Sequence, residues 1–549
     1  MHSGYVRAFL IVGAIAVEAA VSSVRPSAFA ATPQAVVPAV RPGVDFDAYA
    51  NGAWRATAQL PEGRVSYDTT ALLRDVATRQ VRDLIREAAA APVSDRERRV
   101  GDFYAAWMDQ AGIEARGLQP VSGELAAIAV IRDRTALSAW LGGALRLDDG
   151  TNSRTDGLFG VWIHQGFHDG ERYRPHLVQG GLGLSGPEVY LGADADDVAA
   201  LEAYRTRISS VLTLAGLDQT DVRAARVLAL ERAIAATHAP RAHTDDVFKT
   251  DNPWRRADFA AKAPGMDWDA WFAAAALDRQ DEIIVWQPSA VVGTAALVGS
   301  QPIEAWRDYL AFHLINHYAG ALPRAFGGTS PDRERAAIDA TTAALGQDIG
   351  QLYVAQYFPP EAKAAATAMA ENLRTAFRAR LGRLDWMSPT TRDTALAKLE
   401  ALRIGVGYPD VWIDHSGLEV RRDNAFGNMR RAEAFHYRRE LAKLDRPVDP
   451  AEWSLMPQRP GAIINFSPNA IQFSAGILQP PYFDPYGDAA SNYGSAGAGM
   501  AHEISHTFDE LGSIYDAEGR LVRWWTPEDL AAYRAASAPM AAQLAAYCL

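Results

Sequence analysis

The chain has 549 residues, room for about three to four domain-sized units, and its 48% apolar and 22% charged residues exclude wholesale disorder and a fibrous repeat. With 54 basic against 66 acidic residues the net charge is −12, which argues against nucleic acid or an anionic membrane surface as a partner. One cysteine, Cys548, excludes an internal disulfide.

Residues 1–30 read as a secretory signal: Arg7 near the start, an apolar run over residues 8–17, and Ala28-Phe29-Ala30 as a small-x-small cleavage site. Glu18 ends the run far short of the roughly 20 residues a membrane span needs, so the predicted mature chain is exported, periplasmic or extracellular, with no stable membrane span. From Asp68 the pattern turns helical, with Leu73, Ala77, Val81 and Leu84 on one stripe. A second helix follows Pro359-Pro360, carries Ala370, Leu373, Phe377 and Leu381, and stops at Gly382. Ser388-Pro389 is an N-cap and first-turn proline for a helix bearing Ala395, Leu399 and Leu402. Residues 405–410 break the pattern, residues 430–444 resume it, and the texture then shortens, which places a boundary near 450. Two short strands are predicted at residues 462–466 and 470–473, joined by a turn at Ser467-Pro468-Asn469.

The chemistry lies in Gly499-Met500-Ala501-His502-Glu503-Ile504-Ser505-His506-Thr507-Phe508-Asp509-Glu510-Leu511-Gly512, which contains HExxH. On a helix, His506 falls about 40° from His502 and Asp509 about 20° to the other side, while Ile504, Phe508 and Leu511 form an opposite, core-facing stripe. Imidazoles at i and i+4 can aim at one Zn²⁺ and leave a position for water. Glu503 beside that water is the predicted general base, and Asp509 a predicted acceptor behind a ligand histidine. A glycine at 509 and a histidine at 512 would mark a metzincin; Asp509 and Gly512 exclude it.

Beyond the motif, the chain resembles the neprilysin and endothelin-converting-enzyme family of zinc metallopeptidases. The resemblance rests on Asn51-Gly52-Ala53-Trp54, Gly101-Asp102-Phe103-Tyr104, Leu384-Asp385-Trp386-Met387, Gly407-Tyr408-Pro409-Asp410, the run Phe473-Ser474-Ala475-Gly476-Ile477-Leu478-Gln479-Pro480-Pro481-Tyr482-Phe483, HExxH with Phe508-Asp509, and Trp524-Trp525. It implies a mainly α fold with a small β part, two-lobed, with a thermolysin-like, gluzincin-type catalytic lobe. The expected divisions are a signal peptide (1–30), a mostly helical region (31–450) and the start of the catalytic domain (451–549). The implied activity is zinc-dependent cleavage of oligopeptides before hydrophobic residues, with one zinc on His502 and His506, Glu503 as catalytic glutamate, and Ile477 and Tyr482 lining the pocket for the residue after the scissile bond.

Two departures stand against that pattern. Where the family has Asn-Ala on a substrate-binding edge strand, this chain has Gly461-Ala462, so Ala462 is left with its backbone groups alone to pair a substrate. The family's third zinc ligand, a downstream Glu-x-x-x-Asp glutamate, is missing from the residues after His506. Glu528 is the nearest substitute, but Thr526-Pro527-Glu528-Asp529 reads as a helix start. The expectation is a catalytic lobe incomplete at its C-terminus, with Ile504, Phe508 and Leu511 deprived of packing partners. The alternative is a catalytically inactive, truncated homologue that binds peptides.

Overall fold

The computed structural model describes residues 40–147, 155, 157–327 and 332–546; the predicted signal peptide and Cys548 lie outside the described residues. Asp68 accepts the N–H of Ala71 and opens α1 (Thr69–Ala90), in which Leu73, Ala77, Val81 and Leu84 are buried as their spacing predicts. It packs on α2 (Asp95–Met108), which begins with a reciprocal capping box between Ser94 and Glu97.

A five-stranded sheet follows. β1 (Arg146–Leu147) lies parallel to β2 (Phe159–Gln165), which pairs antiparallel with β3 (Tyr173–Gln179), Phe159 opposite Gln179. Next come α3 (Ala195–Leu214) and α4 (Thr220–Ala235), then β4 (Pro253–Arg255) and β5 (Glu282–Val285), which complete the order β1-β2-β3-β5-β4. α3 and α4 pack with α5 (Ile303–His317) around the buried Glu231, which accepts from the hydroxyls of Tyr190 and Tyr204 and pairs with His313. A carboxylate so deep is tolerable because its oxygens are partnered.

The long helix α6 (Arg333–Tyr357) returns against α1 and α2 and kinks at Leu345, where φ is −130°. Pro359 and Pro360 restart the chain as α7 (Pro360–Leu381), and Ser388 caps α8 (Pro389–Ala401) by accepting the N–H of Thr391. Gly382 ends α7 without leaving the right-handed region, its φ being −61°. Residues 405–410, which look only like an interruption, contribute to strand β6 (Arg403–Gly407). After α9 (Ala425–Leu441) come β7 (Ala462–Asn465) and β8 (Ala470–Ser474), and Asn469 turns between them at φ +47°. β8 runs parallel to β6 and antiparallel to β7, giving the order β6-β8-β7. The helix that carries HExxH, α10 (Ala498–His506), packs against β7, β8 and α7, and α11 (Pro527–Ala545) follows.

The fold is mainly helical with two small sheets. One hydrophobic core extends from Leu73 to Trp525, and β6 and β8 form their sheet from either side of residue 450. A smaller cluster of Phe167, Ile284, Ile514, Tyr515 and Leu521 joins the first sheet to the chain beyond α10. Among the described residues, no helix is long and apolar enough to cross a membrane.

Candidate active site

α10 is approached through a wide helical turn at Tyr493–Gly497, in which Ser495 donates to the Tyr482 carbonyl at 2.6 Å. At Gly499 a Cβ would fall 1.8 Å from the Tyr482 hydroxyl oxygen, so glycine is what lets that ring lie on the first turn of the helix.

One turn later, His502 and His506 point their imidazoles at the same spot: their Nε2 atoms are 3.1 Å apart and the rings are nearly perpendicular. Two nitrogens at 2.0–2.1 Å from one tetrahedral zinc would be separated by about 3.3 Å, so the pair fits that metal. The second nitrogen of His506 is committed, since Nδ1–H donates to Asp509 at 2.6 Å, which leaves Nε2, facing His502 Nε2, as the nitrogen that carries the lone pair. His502 is exposed and Glu503 half-buried. Among the described residues, no group of three or more His, Cys, Asp or Glu is arranged to hold a metal ion.

The helix is shorter than its apolar stripe predicts. It stops at His506, and the next N–H groups bond in tighter turns, Thr507 to the Ile504 carbonyl and Phe508 to that of Ser505. Asp509 then captures the N–H groups of Leu511 and Gly512, each at 2.9 Å, competing with helical bonding as short polar side chains do. Leu511 consequently leaves the stripe and is 55% exposed. Ile504 and Phe508 are covered, contrary to the expectation that they lack partners: Ile504 is fully buried and Phe508 stacks on Phe377 of α7 at 6.4 Å. Gly512 folds back so closely that a Cβ would meet the carbonyl oxygens of Thr507 and His506 at 2.2 and 2.3 Å.

Of the residues predicted to hold substrate, the Tyr482 hydroxyl lies against Gly499 of this helix and the strand that starts at Ala462 packs on it. Gly461 and Ala462 stand at the start of β7, the edge strand, which packs on α10; Ala462 is exposed, and Gly461 exchanges hydrogen bonds with Ser474. Ile477 is buried just beyond β8, and Tyr482 is half-buried, its hydroxyl pKa raised by burial and by the charge of Glu503. Glu528 is exposed in the first turn of α11, where Thr526 caps the N–H of Asp529.

Sequence reasoning passed over Lys398. It is 1% exposed, and its ammonium donates to the carbonyls of Gly512 and Tyr515, each at 2.6 Å, in the turn after the motif. The available signal was its position: Thr391, Ala395, Lys398 and Leu399 are one buried helical stripe with a lysine in it. Trp524, noted only as part of a Trp-Trp pair, donates its indole N–H to the same Gly512 carbonyl at 3.1 Å.

Compared with known proteins, the chain matches peptidase family M13 twice, over residues 42–409 in the family's N-terminal part and over residues 462–549. It is 36% identical to the zinc metalloprotease Zmp1 of Mycobacterium tuberculosis in its open state, with a TM-score of 0.80 over 91% of this chain and 79% of that one. Human endothelin-converting enzyme-like 1 is 26% identical over 528 residues, 89% of this chain and 67% of the relative. Neprilysin-3 of Drosophila melanogaster is 25% identical over 546 residues, 92% of this chain and 69% of the relative.

Proposed function

Because the chain belongs to peptidase family M13, zinc metallopeptidases of the neprilysin and endothelin-converting-enzyme type, we propose that it hydrolyses peptide bonds in oligopeptides from the HExxH helix. In this reading His502 and His506 hold one zinc ion per chain, Glu503 is the general base and Asp509 orients His506. The observation that carries it is the convergence of the two Nε2 atoms with Asp509 locked onto the far nitrogen of His506. When bound, zinc polarises the attacking water and the scissile carbonyl.

The remaining work falls to the chain. Glu503 takes the proton of the attacking water and passes it to the leaving amine. The open edge of β7 at Ala462 pairs with the substrate backbone. Ile477 and Tyr482 receive the side chain after the scissile bond, and an apolar wall of this kind favours cutting before hydrophobic residues. Residues 1–30 export the chain to the periplasm or the medium.

A second reading, a homologue that binds peptides without cutting them, is favoured by the finding that, among the described residues, no third His, Cys, Asp or Glu is arranged with the pair to hold a metal ion. Two protein ligands hold zinc weakly. Metal analysis and an assay on an unstructured peptide containing Phe and Leu decide between them. The first reading expects chelator-sensitive cleavage before those residues, with Glu503→Gln reducing turnover by ~100-fold or more while zinc is kept. Undiminished turnover in Glu503→Gln would sink its role, and peptide binding without cleavage would establish the second reading.

A further inference from the structure

A buried ammonium is costly unless its hydrogens are placed, and an apolar side chain of similar length would fill the same space more cheaply. Lys398 is nevertheless 1% exposed, on the face of α8 turned to the turn after α10. Its ammonium bridges the carbonyls of Gly512 and Tyr515, three residues apart, and lies 5.6 Å from the Trp524 ring centre. Its own carbonyl accepts from the Asn469 side chain at 3.0 Å, so its backbone is tied to the β7–β8 turn as well. Burial pulls its pKa down to about 7, against the opposing charges of Asp516 and Asp509.

The bridged turn is the one that carries Asp509. Gly512 gives its carbonyl to Lys398 and its N–H to one oxygen of Asp509, and the other oxygen of Asp509 takes the Nδ1–H of His506. Each link is 2.6–2.9 Å long. We propose that Lys398 is a positioning residue for His506: from α8 it fixes the Gly512 turn, the turn fixes Asp509, and Asp509 fixes the imidazole. The link to metal holding rests on the reading of His502 and His506 given above; the positioning itself does not.

The test uses the full chain with Lys398→Met, which keeps the apolar stem and removes the donors, Lys398→Arg, which keeps the charge and donors, and Asp509→Ala. Folding is checked by near-ultraviolet circular dichroism. The readouts are the His506 Nδ1 proton in spectra of ¹⁵N-histidine-labelled, metal-free protein, and zinc affinity by competition. Lys398→Met is expected to lose or shift that proton and to weaken zinc binding by about tenfold, with partial recovery in Lys398→Arg. The double variant Lys398→Met/Asp509→Ala is expected to be no weaker than Asp509→Ala alone, since both act along one chain of contacts. A wild-type His506 signal in folded Lys398→Met, or losses that simply add, would overturn the proposal. Should Lys398→Met not fold, Trp524→Phe removes the other donor to the Gly512 carbonyl. It is expected to move the His506 signal in the same direction, and an unmoved signal would again overturn the proposal. If the signal moves while His502→Ala and His506→Ala take up zinc like the wild type, the positioning stands and the metal reading falls.

Discussion

Gly499 has no room for a methyl group. The Tyr482 hydroxyl would lie 1.8 Å from it and the ring Cζ at 3.1 Å, so nearly all of the conflict is with one oxygen. Gly499→Ala is therefore expected to destabilise the chain by about 1–3 kcal/mol, the usual cost of overfilling a packed site. Adding Tyr482→Phe should return most of that loss; denaturant midpoints of the four proteins measure it, and an equal penalty in both backgrounds would show that the methyl meets something else. The HExxH spacing that put His502, Glu503 and His506 together was legible because it is set within two helical turns. The reason for Gly499 was not, since its partner lies 17 residues upstream on a different segment. Asp509 was placed correctly beside His506 for a partly wrong reason: it reaches the imidazole from the turn beyond the helix end and not from a continued helix.

Among the elements, the starts of α8 and α11 were readable from Ser388-Pro389 and Thr526-Pro527, because capping is local chemistry. That a single carboxylate ties the two helices together was not readable, since the partners are about 140 residues apart. Asp529 is 2% exposed and accepts from the Ser388 N–H and hydroxyl, from the Thr391 hydroxyl and from the Thr526 hydroxyl, at 2.6–2.8 Å. Burial alone would raise its pKa, but these bonds, with that of Thr391 foremost, hold it at about 2. An unfolded aspartate titrates near ~3.9, so the ionised form favours the fold by about 2–3 kcal/mol above pH ~5, and the benefit fades as pH falls toward ~2. Asp529→Asn should therefore be less stable than wild type at pH 6, and the gap should narrow on acidification. Urea unfolding of both proteins between pH 6 and pH 2 checks this; a gap independent of pH would mean that the carboxylate's charge contributes nothing. Strand β6 was missed for a related reason: Arg-Ile-Gly-Val-Gly has weak strand propensity by itself, and its partner β8 is 67 residues later.

At the scale of the whole molecule, the change of texture near 450 is real in the sequence, yet the segments on either side share one core and one sheet. What joins the first sheet to the chain after α10 is the smaller apolar cluster, reinforced by the Leu521 N–H donating to the Phe167 carbonyl at 2.7 Å and the Gln165 side chain donating to the Glu518 carbonyl at 3.0 Å. His176 lies under this clasp, fully buried, with its ring 5.3 Å from that of Phe167 and its Nδ1 accepting from the Trp286 indole at 2.9 Å. Its Nε2 finds no hydrogen-bond partner among the described residues. Burial, then the nearby His164 and Arg174, push its pKa down to about 3, and burial pushes that of His164 down to about 4 against the pull of Glu452. Both imidazoles are thus neutral in the docked state, whereas a released histidine titrates near ~6.5. Above that pH the clasp carries no protonation cost. As pH falls from about 6 toward 4, the released state takes up protons that the docked state refuses, and docking weakens. Hydrogen exchange over residues 165–170 and 514–522, corrected for the intrinsic pH dependence, should therefore speed up across that range well before the interior of α4 does. His176→Gln keeps an acceptor for Trp286 and removes the deeper titration, so its acid response should be shallower. An identical response in the variant, or an unchanged clasp at pH 4 in the wild type, would show that these histidines do not govern how the two parts of the molecule hold together.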